Sequence, residues 1–212
     1  RLAAGDAVLE IARETGLVLR YERHGKLLLS GGAPNFWRAP TDNDVGAGVP
    51  KSHAMWEHFS NHRRVELITI DGDAIIVRHD MGVGSVKTET RWTMAADGTV
   101  GVTAHFDPLR LTLPDPLRVG LAFETARELD TVRWYGRGPH ETYADRKSSG
   151  MIARWGGKLS DQYHDYARPQ ESGNKTDVRW IDIDSTVKLD GDKIGTAHID
   201  PWVVGLSYVH TF

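Results

Sequence analysis

The feature that most restricts how this chain folds is a succession of short runs rich in β-branched and aromatic residues. They are VLEIAR (8–13), LVLRYER (17–23), RVELITI (64–70), AIIVRHDM (74–81), VKTETRWTM (86–94), TVGVTAHF (99–106), RVGLAFET (118–125), TVRWY (131–135) and WVVGLSYVH (202–210). Between several of them lie Asp71-Gly72-Asp73, Ala96-Asp97-Gly98 and Asp190-Gly191-Asp192, residue types that accept the positive φ of a tight reversal. Strands spaced this closely leave no room for helical crossovers, so the connections are hairpins. The expected fold is all-β, a large antiparallel β-sandwich formed by 1–212 as one domain. The 22 glycines and 9 prolines match the number of turns such a meander needs. One helix is expected, in SHAMWEHFSNHRR (52–64), with Ala54, Trp56, His58 and Phe59 on its apolar face.

Charge and composition narrow the function. A formal charge of −3 gives no electrostatic reason to bind nucleic acid or an anionic membrane. With 0 cysteines there is neither a disulfide framework nor a thiolate metal site, which is compatible with the cytoplasmic location expected here. No apolar run approaches the roughly 20 residues of a membrane helix. The chain opens on Arg1 and stops in a β-rich run, so it reads as a piece of something longer.

Several constellations could carry chemistry. His58 and His62 have the spacing of two imidazoles on one helical face, but no third ligand stands at a standard offset. The glycine clusters GAGVPKS (46–52) and GVGSVK (82–87) do not complete a phosphate loop. His140, Glu141 and Glu171 are the leading acid/base candidates, although WYGRGPHETYADR (134–146) reads better as a structural corner. Trp202 follows His198, Asp200 and Pro201, and an indole beside polar groups suits a pyranose, whose apolar face stacks while its hydroxyls need hydrogen bonds.

Four blocks in order, FWRAPTDNDVG (36–46), WYGRGPHETYADRK (134–147), YARPQESGNKTDVRW (166–180) and LDGDKIGTAHIDPW (189–202), resemble the signatures of the C-terminal, small-chain β-sandwich domain of the glycoside hydrolase family 2 β-galactosidases. The resemblance implies a galactose-mutarotase-like sandwich. It also implies that the two catalytic glutamates lie in a separate (β/α)8 barrel, so that no catalytic residue and no metal ligand falls in this chain. Magnesium and sodium belong to the full-length enzyme by the same resemblance. Partners implied are a β-galactoside, the barrel and other domains of the same enzyme, and further copies in a homo-oligomer. What this domain contributes is an aromatic platform, matched here by Trp202, with Asp200 and His198 at its rim and Gly46, Ala47 and Gly48 as a lid loop. Between DVRW (177–180) and VKLDG (187–191) this chain has only IDIDST where the family generally carries a longer insertion. Two other functions compete: a non-catalytic carbohydrate-binding module and a mutarotase-like aldose epimerase.

Overall fold

The computed structural model describes residues 1–108 and 112–185, together with the backbone of the strands at 188–189, 192–193 and 197–199. Contacts divide the chain into two compact units, Arg1–Arg38 with Asp44–Thr125, and Ala39–Asn43 with the residues from Ala126 onward.

In the first unit, β1 (Leu2–Ala4), β2 (Ala7–Ile11), β3 (Val18–Arg23), β4 (Lys26–Asn35) and β9 (Gly120–Thr125) form a five-stranded sheet in that order. The meander β5 (Arg63–Asp71), β6 (Ala74–Met81), β7 (Val86–Met94) and β8 (Val100–Pro108) forms a second, four-stranded sheet. Every pairing is antiparallel. The expected glycines sit at the reversals, Gly72 at φ 61° and Gly98 at φ 85°. Alternation along β7 sends Val86, Thr88, Thr90 and Trp92 inward. Trp92, Ile75 and Val77 of the second sheet meet Leu9 and Val18 of the first in a single core cluster, so the two sheets form a sandwich. Burying each of these side chains contributes about 1.5–3 kcal/mol.

Helices α1 (Asp42–Gly46), α2 (Val49–Ser52) and α3 (Ala54–Asn61) lie between β4 and β5. The single helix expected over 52–64 is therefore shorter and split at His53, while Arg63 and Arg64 belong to β5. Its buried face is Trp56, Phe59 and Ser60, with Ala54 and His58 exposed. The reason is geometric: steps of three and four residues keep a side chain on one face, whereas two residues from Trp56 in either direction is more than half a turn. Phe59 packs against the β6–β7 turn, where Gly82 has φ 69° and a Cβ would stand 2.1 Å from the ring. Gly82→Ala combines a left-handed backbone with overpacking and is expected to lower stability by about 2–4 kcal/mol, read from urea unfolding.

In the second unit, β10 (Thr131–Gly138) is central. It pairs with β11 (Met151–Lys158) on one side and β12 (Trp180–Asp184) on the other, and β12 pairs with β15 (Ala197–Ile199). β13 (Lys188–Leu189) pairs antiparallel with β14 (Asp192–Lys193), and Asp190 and Gly191 of the expected turn lie outside the described residues. Val132 and Trp134 of β10 face a cluster with Ala126, Leu129, Leu159, Val178 and Ile183. Of the short segment 181–186, residues up to Asp184 belong to β12. The strand expected over 202–210 lies outside the described residues. No helix among the described residues is long and apolar enough to cross a membrane.

Candidate functional site

The best-defined polar site of the second unit is built where β10 ends. Its last residues, Arg137 and Gly138, lead through a cis Gly138–Pro139 bond into His140, Glu141 and Thr142, and this segment is laced to residues 173–177. The Arg137 amide donates to the Thr176 carbonyl at 3.0 Å and the Thr142 amide to the Asn174 carbonyl at 2.8 Å. The Thr176 amide in turn donates to Thr142 Oγ1 at 3.0 Å, and Asn174 Nδ2 donates to the Thr142 carbonyl at 2.7 Å. Such reciprocal pairing is what a buried loop requires, since an unmet backbone donor or acceptor there is costly.

Charges complete the lacing. The Arg137 guanidinium donates to Asp177 Oδ2 at 2.5 Å and to the carbonyls of Lys147 (2.9 Å) and Gly150 (2.8 Å). That hydrogen bond, seconded by Lys147, holds the Asp177 carboxyl below the usual carboxylate range. Glu141 is 7% exposed, and its carboxylate accepts from the Tyr166 hydroxyl and, at 2.8 Å, from the Gly173 amide. Arg146 stands 3.9 Å away. Lys175, also 7% exposed, lies over the Trp134 ring with Nζ 5.0 Å from its centroid. Burial pulls its pKa down to about 8, while the negative charge of Glu141 pushes the other way.

Both Glu141 oxygens are engaged by groups that hold the chain, and His140 is exposed, sharing a 3.1 Å hydrogen bond with Ser149. Glu171 is 4% exposed. Of the stretch 134–146, Trp134–Gly138 are the end of β10, and the chain leaves the strand at Pro139 into the turn that follows. Lys175 and Tyr166 were not singled out in the sequence; the only signal was their place in a polar block between strands.

The sugar-site candidates fall at the margin of the described structure. Trp202 and Asp200 lie outside the described residues. Residue 198 is a backbone position in β15, in register with Asp182 of β12, which is itself in register with Arg133 of β10. The loop at Gly46, Ala47 and Gly48 is exposed, and a Cβ on either glycine would meet nothing within 4 Å. Gly48 takes φ 72° and its carbonyl accepts from Ser52 Oγ at 3.2 Å, while Gly46 is not in the left-handed region. Just before the loop, Arg38 and Asp44 form a 2.6 Å ion pair. His58 and His62 stack with ring centroids 4.1 Å apart, and His62 Nδ1 shares a 3.0 Å hydrogen bond with the His58 carbonyl. Among the described residues no group of three or more His, Asp or Glu is placed to hold a metal ion.

The family model for the β-galactosidase small chain matches residues 3–204. The chain belongs to the β-galactosidase small-chain family. It is 37% identical over 167 residues to a β-galactosidase of Priestia megaterium, a match covering 77% of this chain and 16% of that protein. It is 30% identical over 198 residues to a β-galactosidase of Klebsiella pneumoniae, covering 86% of this chain and 19% of the other. A β-galactosidase of an Arthrobacter species is 29% identical over 195 residues, with 75% and 19% covered. The chain thus spans less than a fifth of the length of these relatives. The small-chain match runs through the corner at Arg137, Glu141 and Asp177, through the loop at 46–48 and through residues 198–202.

Proposed function

We propose that this chain is the C-terminal domain of a retaining β-galactosidase, a cytoplasmic and homo-oligomeric enzyme whose catalytic glutamates, magnesium and sodium are held by its other domains. The domain is of the galactose-mutarotase-like kind. It presents Trp202 as a platform on which the galactosyl ring stacks, Asp200 and His198 border it, and the loop at Gly46, Ala47 and Gly48 closes over the aglycone side. The observation that carries this reading is the family match over 3–204, which takes in all four motif blocks. Two structural features support it: the strand containing residue 198 is fixed by register to the sheet of the second unit, and the 46–48 loop is exposed with open space around both glycines.

The chemistry asked of the domain is recognition. Stacking a sugar's C–H face on indole removes apolar surface from water, while rim groups satisfy the hydroxyls that face inward. In the complete enzyme, Trp202→Ala is expected to weaken galactoside binding by about tenfold or more with unfolding temperature unchanged. Binding and KM that stay at wild-type values would remove the platform. The 212-residue chain alone is expected not to hydrolyse a chromogenic β-galactoside; turnover by it would place the nucleophile here and overturn the reading.

A further inference from the structure

β11 is an edge strand in the order β11-β10-β12-β15, and among the described residues no strand pairs with its outer side. Such edges are usually blunted by bulges, prolines or brevity. This one runs for 8 residues, pairs with β10 without a register shift, and is exposed at Met151, Ile152, Arg154, Gly156, Gly157 and Lys158. Neither Arg154 nor Lys158 has an ion-pair partner among the described residues. Trp155 leans on the core cluster of its unit, so alternation puts Ala153 and Gly157 on that side and Ile152, Arg154, Gly156 and Lys158 on the other.

We propose that this edge pairs with the same strand of a second copy of the chain, β11 against β11, antiparallel about a twofold axis through Trp155. A twofold axis perpendicular to the sheet keeps equivalent faces on the same side, so it must pass through a residue. Passing through Trp155, it sets Trp155 against the partner's Trp155 and Arg154 against the partner's Gly156. Ala153 then faces the partner's Gly157, and Ile152 the partner's Lys158. The Arg154 side chain meets a glycine, the two indoles meet each other, and the Lys158 stem lies along Ile152. Moving the axis one residue back, to Arg154, sets that guanidinium against its own copy. Moving it one residue forward, to Trp155's neighbour Gly156, sets Arg154 against the partner's Lys158. Those two shifts keep their axes within the strand and both oppose like charges, which destabilise a cross-strand pair. Within Met151–Lys158 only the axes at Arg154 and Trp155 engage seven residues of each strand, all others engaging five or fewer, and charge decides between those two in favour of Trp155; the pairing joins two four-stranded sheets into one while satisfying both edges.

Sedimentation velocity on the 212-residue chain, over a concentration series reaching the sub-millimolar range, tests this. The expected result is a monomer–dimer equilibrium. Ile152→Lys places ammonium groups opposite Lys158 at both symmetry-related positions and is expected to weaken the dimer about tenfold or more, with the far-ultraviolet circular dichroism unchanged. Adding Lys158→Glu turns each repulsive pair into an attractive one and is expected to restore it. A chain that stays monomeric throughout overturns the proposal. So does a dimer indifferent to Ile152→Lys, or one whose loss Lys158→Glu does not repair.

Discussion

Glu141→Ala is expected to lower the stability of the second unit by about 3–5 kcal/mol, enough to leave a domain of ordinary stability close to unfolding. The carboxylate it removes is 7% exposed and accepts from the half-buried Tyr166 hydroxyl and the buried Gly173 amide, so truncation unpairs both donors and strands the amide away from water. It also takes away the negative charge that favours protonated Lys175. An unpaired buried cation is the most expensive of these losses, which is why Glu141→Gln, with acceptor and shape retained but charge removed, should fall between wild type and alanine. Urea unfolding followed by near-ultraviolet dichroism reads the effect. Combining Glu141→Ala with Lys175→Met should lose less than the sum of the two single changes, because no lone charge is then left behind. Full additivity would show that the two residues do not interact.

The second large effect concerns pH. Lys175 has a folded pKa of about 8 against an ordinary lysine value of 10.5. Between these two pH values the unfolded chain binds more protons than the folded one, so stability contributed at this site rises as pH rises through the window. Below pH 8 the penalty for burying the ammonium is present in full; above 10.5 it is gone. The span corresponds to about 3 kcal/mol, at 1.36 kcal/mol for each pH unit. Stability measured from pH 7 to 11 should therefore climb more in the wild type than in Lys175→Met, the two curves converging by about 3 kcal/mol. Parallel curves would mean that Lys175 titrates as an ordinary surface lysine.

Most of the strand framework was legible because it rests on local chemistry. The runs at 74–81 and 86–94 coincide with β6 and β7, and the Asp-Gly turns fall at their hairpins. β4 and β11 were not anticipated. β4 contains Gly31, Gly32 and Pro34, residue types that carry no strand signal; in the fold the glycines make a bulge, with Gly32 yielding its Cβ space to Trp92. In β11, Gly156 makes room for Arg133 across the strand pair, a requirement set by a residue 23 positions earlier and invisible locally. The same limit applies to the corner. Its glycines, proline and charges were evident, and so was its structural role. The partners were not, because Thr142 and Thr176 stand 34 residues apart and nothing in either segment names the other. Trp202, Asp200 and His198 were chosen by resemblance, since the physics of an indole beside polar groups suits many sites.

The second unit draws its chain from two places, 39–43 and the residues after 125. Within it, the Asp42 amide donates to Gln170 Oε1 at 3.0 Å, and Arg168 lies 3.6 Å from the Asp42 carboxylate. The polypeptide therefore passes between units at three points rather than one, and no single scission yields both of them whole. A gene fragment that starts at 126 lacks the strip carrying Asp42, and one that ends at 125 carries that strip without the surface it was made for. Any transplantation of this domain into another enzyme has to move the two halves together, as one uninterrupted reading frame.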